Sequence, residues 1–476
     1  MLTYIRQTAT ADFYKRLAII AIPSTLQFLL TSSRQLVDTF MIGQLGEVPV
    51  AAVGAAARPF FVVIMVLWGA SHGTGMLASQ YWGKKDIIGV RKSVVQAVLL
   101  SLMVVLPAYI IFRFFPEYVI RLVTSDPEII LQGKTYLSIV SSNMLALSVT
   151  FPVYAGLRSI NQAYTCTVIS TFGVVFNIVA NYLLIFGYFG FPQLGLQGAA
   201  IGTMLSAILE SAIAVCYIYF TDHTLAVKAK ALREALRADQ FKKFFDITFP
   251  VIVNGLVWSA GTYIYFIIYG HMGKQELAVM TMFTPLESFC IAFFGGVSTG
   301  AAVMLGHHLG RKDFGIAWKE SWLFVIIGFL VSLVLSAVLM LLRDSLLGLF
   351  DGSMTAQTLA LARDAYPILL IGLMSKAINI VVINGVLRSG ADTKFILKLD
   401  MGCQWLVGIP LGLLGAFVWN LPLKWVFALV CGEEVVKIFI CTARMYSRVW
   451  IRNLVDEPEK LTVVRERVSE VGVVGE

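Results

Sequence analysis

Residues 69–86 read GASHGTGMLASQYWGKKD, and residues 296–313 read GVSTGAAVMLGHHLGRKD. The spacing of Gly69, Gly73 and Gly83 returns in Gly296, Gly300 and Gly310, and Gly83-Lys84-Lys85-Asp86 returns as Gly310-Arg311-Lys312-Asp313. Extended in both directions, Pro23 to Asp86 aligns without a gap on Pro250 to Asp313 at an offset of 227, with 13 of 64 positions identical. Further on, Leu157-Arg158-Ser159 returns as Leu387-Arg388-Ser389 at an offset of 230, which marks a three-residue insertion. The chain is therefore read as two related halves, the internal symmetry common among secondary transporters.

The composition says what each half is made of. Of the 476 residues 58% are hydrophobic and 14% charged, and the mean hydropathy is +0.79. A soluble protein carries about 25% charged residues, so soluble, disordered and disulfide-scaffold classes are excluded. Apolar runs bounded by charge give twelve spans, at 17–43, 50–78, 94–115, 129–157, 164–189, 199–220, 244–269, 277–306, 317–342, 365–387, 395–418 and 421–443. The runs are continuously apolar, not alternating, and each exceeds the roughly 10 residues of a barrel strand. The expected fold class is all-α: a polytopic membrane protein of twelve transmembrane helices in two pseudo-symmetric six-helix lobes. The lobes are expected at 1–222 and 244–453, with a basic linker at 223–243 and a tail at 454–476.

The chain has 37 Lys+Arg against 29 Asp+Glu, a net charge of +8. With both termini cytoplasmic, the inner loops and ends hold 26 Lys/Arg and the outer ones 7. That asymmetry is the positive-inside signal. It turns the basic balance into a record of orientation and removes nucleic acid as a partner. Six spans per half put both copies in the same orientation, related by an axis along the membrane normal, with a solute site between the lobes. The first apolar run leads directly into a span without a cleavable signal pattern. The expected place is the plasma membrane, where the chain works as a monomer among membrane lipids.

Ionisable groups inside spans are costly and are functional candidates by default. Asp38 stands out, in Gln35-Leu36-Val37-Asp38-Thr39-Phe40. In a partly desolvated cavity its carboxylate can exchange H+ or Na+ against a cationic solute. Alternatively, Arg34, one turn earlier on the same face, makes it a static ion pair. Asn177 and Asn181 share a face of the fifth span at i, i+4 and suit either an ion site or interhelical hydrogen bonds. Arg58, Glu210, Asp246, Glu287 and Asp400 are other charges in or at the edges of spans, and Lys376 with Glu433-Glu434-x-x-Lys437 suits either a buried network in the second half or, for a lysine near a span end, snorkelling to the interface. Trp258 and Trp405 fall deep enough to stack on a flat organic cation or to serve as core.

Other patterns carry less. Gly69-Ala70-Ser71-His72-Gly73 and Gly296-Val297-Ser298-Thr299-Gly300 match G-x-S-x-G but lie inside apolar helices, where a nucleophile elbow has no strand-to-helix turn. Close helix packing is the expected use of their glycines. The six cysteines are scattered singly, and the histidines lack partners at metal spacing, so no metal site is read and no enzyme is expected. Trp82, Trp322, Trp419, Trp425 and Trp450 are expected near membrane interfaces, as anchors of the bundle.

Three stretches carry a family resemblance. They are Val37-Asp38-Thr39 with Gly43-Gln44-Leu45-Gly46; Asn177 through Asn181-Tyr182-Leu183-Leu184-Ile185-Phe186-Gly187 to Gly198-Ala199-Ala200-Ile201-Gly202-Thr203; and Leu387-Arg388-Ser389-Gly390-Ala391-Asp392-Thr393. With the repeat, they resemble the multidrug and toxic compound extrusion (MATE) family of secondary transporters, over nearly the whole chain. The resemblance implies two lobes in a V that export drugs or toxic organic compounds, often cationic, in exchange for H+ or Na+ and with no other cofactor. By motif position it implies that Asp38 couples the ion, with Asn177, Asn181 and Thr203 around it. Arg34, Trp258, Glu287, Lys376 and Trp405 are the candidates for the solute cavity. Asn181 stands where Na+-using members often have a second carboxylate, and Gly255 and Ala377 stand where some members have second-lobe acids. The alternative within the broader superfamily is a flippase for a lipid-linked precursor, which Arg34, Arg58 and Lys376 converging on the cleft would mark.

Overall fold

The computed structural model describes residues 9–350 and 354–456. Of the expected tail, residues 457–476 lie outside the described residues. Among the described residues, twelve long helices follow one another: α1 Ala11–Gly43, α2 Glu47–Gly83, α3 Ile87–Phe114, α4 Pro127–Ser159, α5 Ala163–Phe186 and α6 Leu196–Phe220, then α7 Ala238–Met272, α8 Lys274–Arg311, α9 Phe314–Leu341, α10 Ala356–Leu387, α11 Thr393–Val418 and α12 Leu423–Tyr446. The first eleven are long and apolar enough to cross a membrane. At 24 residues α12 has the length too, but it carries Glu433, Glu434 and Lys437. A short helix, Ala229–Ala235, lies between the halves.

Local chemistry sets the helix ends. Thr10 caps α1 by accepting from the Phe13 amide, and Asp86 caps α3 from Gly89. Asp126 accepts from both Glu128 and Ile129 at the start of α4, with Pro127 at the first helical position. These side chains satisfy amides that have no partner within the helix. Gly187, at φ 75°, ends α5 in the left-handed region that glycine enters without strain.

The repeat is visible in the helix starts. α1, α2 and α3 begin 227 residues before α7, α8 and α9. The insertion shifts α5 and α11 to 230, and α6 and α12 return to 227. Lys85 and Lys312, counterparts in the loops after α2 and α8, both have positive φ, at 64° and 69°.

The halves meet through α1, α2, α7 and α8, and the repeated glycines make the meeting close. A Cβ on Gly69 would overlap Ile252 of α7, and one on Gly296 would overlap Thr25 of α1. Thr25 and Ile252 are themselves 227 residues apart. Likewise Gly83 backs onto the His307 carbonyl and Gly310 onto the carbonyl of its counterpart, Gln80. Gly306 faces Ser79, which is its own counterpart. Contacts that swap in this way define a pseudo-two-fold axis passing between Ser79 and Gly306, where α2 and α8 cross.

The hydrogen bonds at this end obey the same symmetry. Gln80 Nε2 donates to the Ser389 carbonyl at 2.8 Å, and His307 Nε2 donates to the Ser159 carbonyl at 2.7 Å. Each side chain reaches out of its own half to a carbonyl at the end of a helix in the other. Because a methyl at Gly310 has only backbone to push against, Gly310→Ala is expected to destabilise by about 1–3 kcal/mol. Gly54→Ala, with nothing among the described residues within 4 Å of its added Cβ, should be neutral or gain up to about 1 kcal/mol. Thermal denaturation of the detergent-solubilised variants checks both, and equal midpoints would contradict the close contact.

Candidate functional site

In the first half, α1, α5 and α6 pack on one another and bring Asn181 to Asp38 and to Gly202. Asn181 Nδ2 donates to Asp38 Oδ1 at 2.7 Å. Asn181 and Asn177, one turn apart on α5, are both 0% exposed. Among the described residues, both polar atoms of the Asn177 amide, and the Asn181 Oδ1, have no hydrogen-bond partner. The absence of a Cβ at Gly202 leaves room for that Oδ1 against α6, and half-buried Thr203 is its neighbour in the chain. Asp38 thus takes its direct hydrogen bond from Asn181. Arg34, half-buried one turn earlier, is not the donor in that bond.

Further along α6, Glu210 is 7% exposed and accepts from the Tyr154 hydroxyl of α4 at 2.7 Å. Gly173 of α5 leaves the space its carboxylate occupies. A buried carboxylate needs such a donor, since one left unpaired costs several kcal/mol.

The second half holds a larger charged network. Lys437 of α12 lies 3.1 Å from Asp400 of α11 and 2.5 Å from Glu433, one turn earlier on its own helix. Asn254 of α7 donates to Asp400 at 2.7 Å and accepts from Arg388 at 3.3 Å. Tyr265 donates to Glu433, and Asn379 donates to Glu434 at 2.7 Å. Lys376 stands apart from this network, paired with Glu287 at 3.1 Å.

The expected network therefore divides. Glu433 and Lys437 gather Asp400, Asn254, Arg388 and Tyr265, while Lys376 and Glu287 form their own pair between α10 and α8. Trp258 and Trp405 are partly exposed on α7 and α11, joined through the Gln404 amide, which donates to the Trp258 carbonyl at 3.2 Å. Arg58 is exposed and reaches across the halves to the Tyr263 hydroxyl at 2.8 Å. Arg58 and Lys376 thus have separate partners on separate helices.

Tyr154, Tyr265, Asn254, Asn379 and Arg388 went unread in the sequence as site residues. The repeat carried a signal for some of them. At offset 227, Tyr265 takes the place of Asp38 and Lys437 that of Glu210; at 230, Asp400 takes the place of Ser170. The half that lacks the Asp38 carboxylate has a tyrosine there, bonded to an acid from α12.

Comparisons with known proteins agree with this architecture. A family model described as MatE matches residues 23–183 and 250–414, one block in each half. An uncharacterized transporter of Bacillus subtilis, YisQ, is 25% identical over 87% of this chain and 90% of its own. A probable multidrug resistance protein of Thermotoga maritima, NorM, is 24% identical over the same shares. A solved structure titled as the outward-facing conformation of a multidrug resistance MATE family transporter of the MOP superfamily superposes with a TM-score of 0.83. It is 18% identical, over 93% of this chain and 98% of that one. With both halves matched by the family model, the chain is a multi-pass membrane protein that belongs to the MatE family, the multidrug and toxic compound extrusion transporters.

Proposed function

We propose that the chain exports organic, chiefly cationic compounds across the plasma membrane in exchange for H+ or Na+, with Asp38 as the residue that carries the ion. The observation behind this reading is the cluster around Asp38. An intramembrane carboxylate is bonded to one of two buried asparagines, one turn apart, that among the described residues keep three polar atoms unpartnered. Buried polar atoms in native proteins are nearly always paired. Unpaired amide oxygens beside a carboxylate supply the oxygen donors a small hard cation takes, and protonation of the carboxylate supplies the same change of charge. Asn177, Asn181 and Thr203 form the rest of that site.

Relatives named as multidrug resistance proteins support drug-like organic solutes as the cargo. Glu287, Lys376, Trp258, Trp405 and Arg34 are the side chains we assign to the solute path. The separate partners of Arg58 and Lys376 favour this reading over a flippase, whose anionic pyrophosphate calls for basic groups that converge. The count of 26 inner against 7 outer Lys/Arg supports cytoplasmic termini. The protein moves its solute without transforming it, as a monomer in contact with lipid and not nucleic acid.

The test is efflux of ethidium from cells or inverted vesicles, with a pH gradient or a Na+ gradient imposed separately. Efflux driven by one gradient and collapsed by dissipating it is the expected result and names the ion. No gradient-dependent movement of any organic cation would overturn the reading.

A further inference from the structure

After α12 the chain turns along the end of the bundle where the pseudo-symmetric contacts close, and it ties one half to the other. Trp450, expected at a membrane interface, is instead 0% exposed, in the cluster formed by α8, α9, α10, α11 and the start of α1. Its Nε1 donates to the Met445 carbonyl at 3.1 Å. Its own carbonyl lies against Gly390, where a Cβ would overlap it. Asn453 Nδ2 then donates to the Leu309 carbonyl of α8 at 3.0 Å. The direct partners of the segment so far, Met445, Gly390 and Leu309, are all in the second half.

The next residues cross over. Gln80 of α2 takes hold of the segment from both sides, donating to the Arg452 carbonyl at 3.1 Å and accepting from the Leu454 amide at 2.7 Å. Leu454 and Val455 pack on a core built mainly from α2 to α6 of the first half, which Phe244 and Ile252 of α7 also join. Asp456 then bridges the repeated loops, with Oδ1 at 2.7 Å from Lys84 and Oδ2 at 2.6 Å from Lys312. Lys84 follows α2 and Lys312 follows α8, so one carboxylate spans both halves beside the axis. Hydrogen bonds from Lys312 and then Lys84 hold the Asp456 carboxyl below its ordinary range, so it is charged at neutral pH.

We propose that residues 450–456 are a strap, anchored in the second half by Trp450 and latched to the first by Gln80, Leu454 and Asp456, which must let go of the first half before the halves can part at this end. The strap bears on the proposed transport because a solute path opening here requires that parting. It is also a statement about conformation that can be read without any solute.

Thr248 of α7, 0% exposed against Gly73 of α2, reports the parting. With Thr248→Cys, the rate of reaction with a polar maleimide in permeabilised membranes, above the background of the native cysteines, measures how often the halves separate. Asp456→Asn removes two partly exposed ion pairs and should raise that rate roughly 3- to 10-fold. Lys84→Cys with Asp456→Cys, joined by a bifunctional maleimide, should lower it below the unlinked chain and stop ethidium efflux. An unchanged rate in Asp456→Asn, or efflux that continues after cross-linking, would overturn the strap. If the unmodified chain moves no cation at all, the transport reading fails, while the labelling rates still decide the strap.

Discussion

Asp38→Asn is expected to reduce gradient-driven efflux to the level seen without a gradient while leaving the folded protein in place. An ion can drive a conformational cycle only by as much as it binds one state better than another. The carboxylate is the charged member of the cluster with Asn181 and Asn177, and replacing it by an amide of the same shape removes the group that gains or loses charge. Folding should survive, because Asn181 Nδ2, which donates to Asp38 at 2.7 Å, can donate to an amide oxygen as well. Ethidium efflux under each gradient, beside a thermal denaturation midpoint, separates the two outcomes. Efflux at the wild-type rate would remove Asp38 from the coupling. A collapsed midpoint would make it a structural residue.

Lys437→Met should cost about 3–5 kcal/mol of stability, the range for breaking a buried ion pair from one side. The Lys437 side chain is 3% exposed and lies between Asp400, 9% exposed, and Glu433, 4% exposed. Methionine fills much the same volume, so packing changes little, but two carboxylates then remain at depth without their cation. Adding Asp400→Asn and Glu433→Gln should recover much of the loss, since neutral amides do not need the ammonium. Lys424→Met makes the comparison, because its pair with Asp364 is 34% and 52% exposed and should be worth less than about 1 kcal/mol. Denaturation midpoints in detergent rank the variants. Equal midpoints for Lys437→Met and Lys424→Met would contradict the burial argument.

The two predictions also mark a difference between the halves. The first half has a carboxylate with spare amide groups around it. In the second half, the counterpart of that carboxylate is Tyr265, engaged with an acid that Lys437 neutralises. On the proposed reading the first arrangement exchanges charge, while the second holds α7, α11 and α12 to one another through Asn254, Asp400, Tyr265, Glu433 and Lys437.

Much of the site was legible in the sequence as a list, and less as a geometry. Asp38, Asn177 and Asn181 could be named because a polar group in an apolar run is conspicuous. Their joining was not legible, because α1 and α5 are separated by more than a hundred residues and hydropathy says nothing about which faces meet. Charge alone groups Lys376 with Glu433, Glu434 and Lys437, but its bond is to Glu287 across α8 and α10. Tryptophans collect at membrane interfaces, which is where the sequence alone puts Trp450, whereas the turn after α12 buries it in the core. Tyr154, Tyr265 and Asn254 were missed because hydroxyls and amides are cheap enough in a span to pass unnoticed until a charge is found beside them.

What the sequence determined alone was the number of helices, their division into two halves and the positions of the repeated glycines. Each of these depends on periodicity and composition, which every residue reports for itself. Only the tertiary structure decided which glycine meets which carbonyl, which acid meets which base and where the last residues cross from one half to the other. Those are pairings between distant segments, and their strength depends on the burial and mutual approach that folding alone creates.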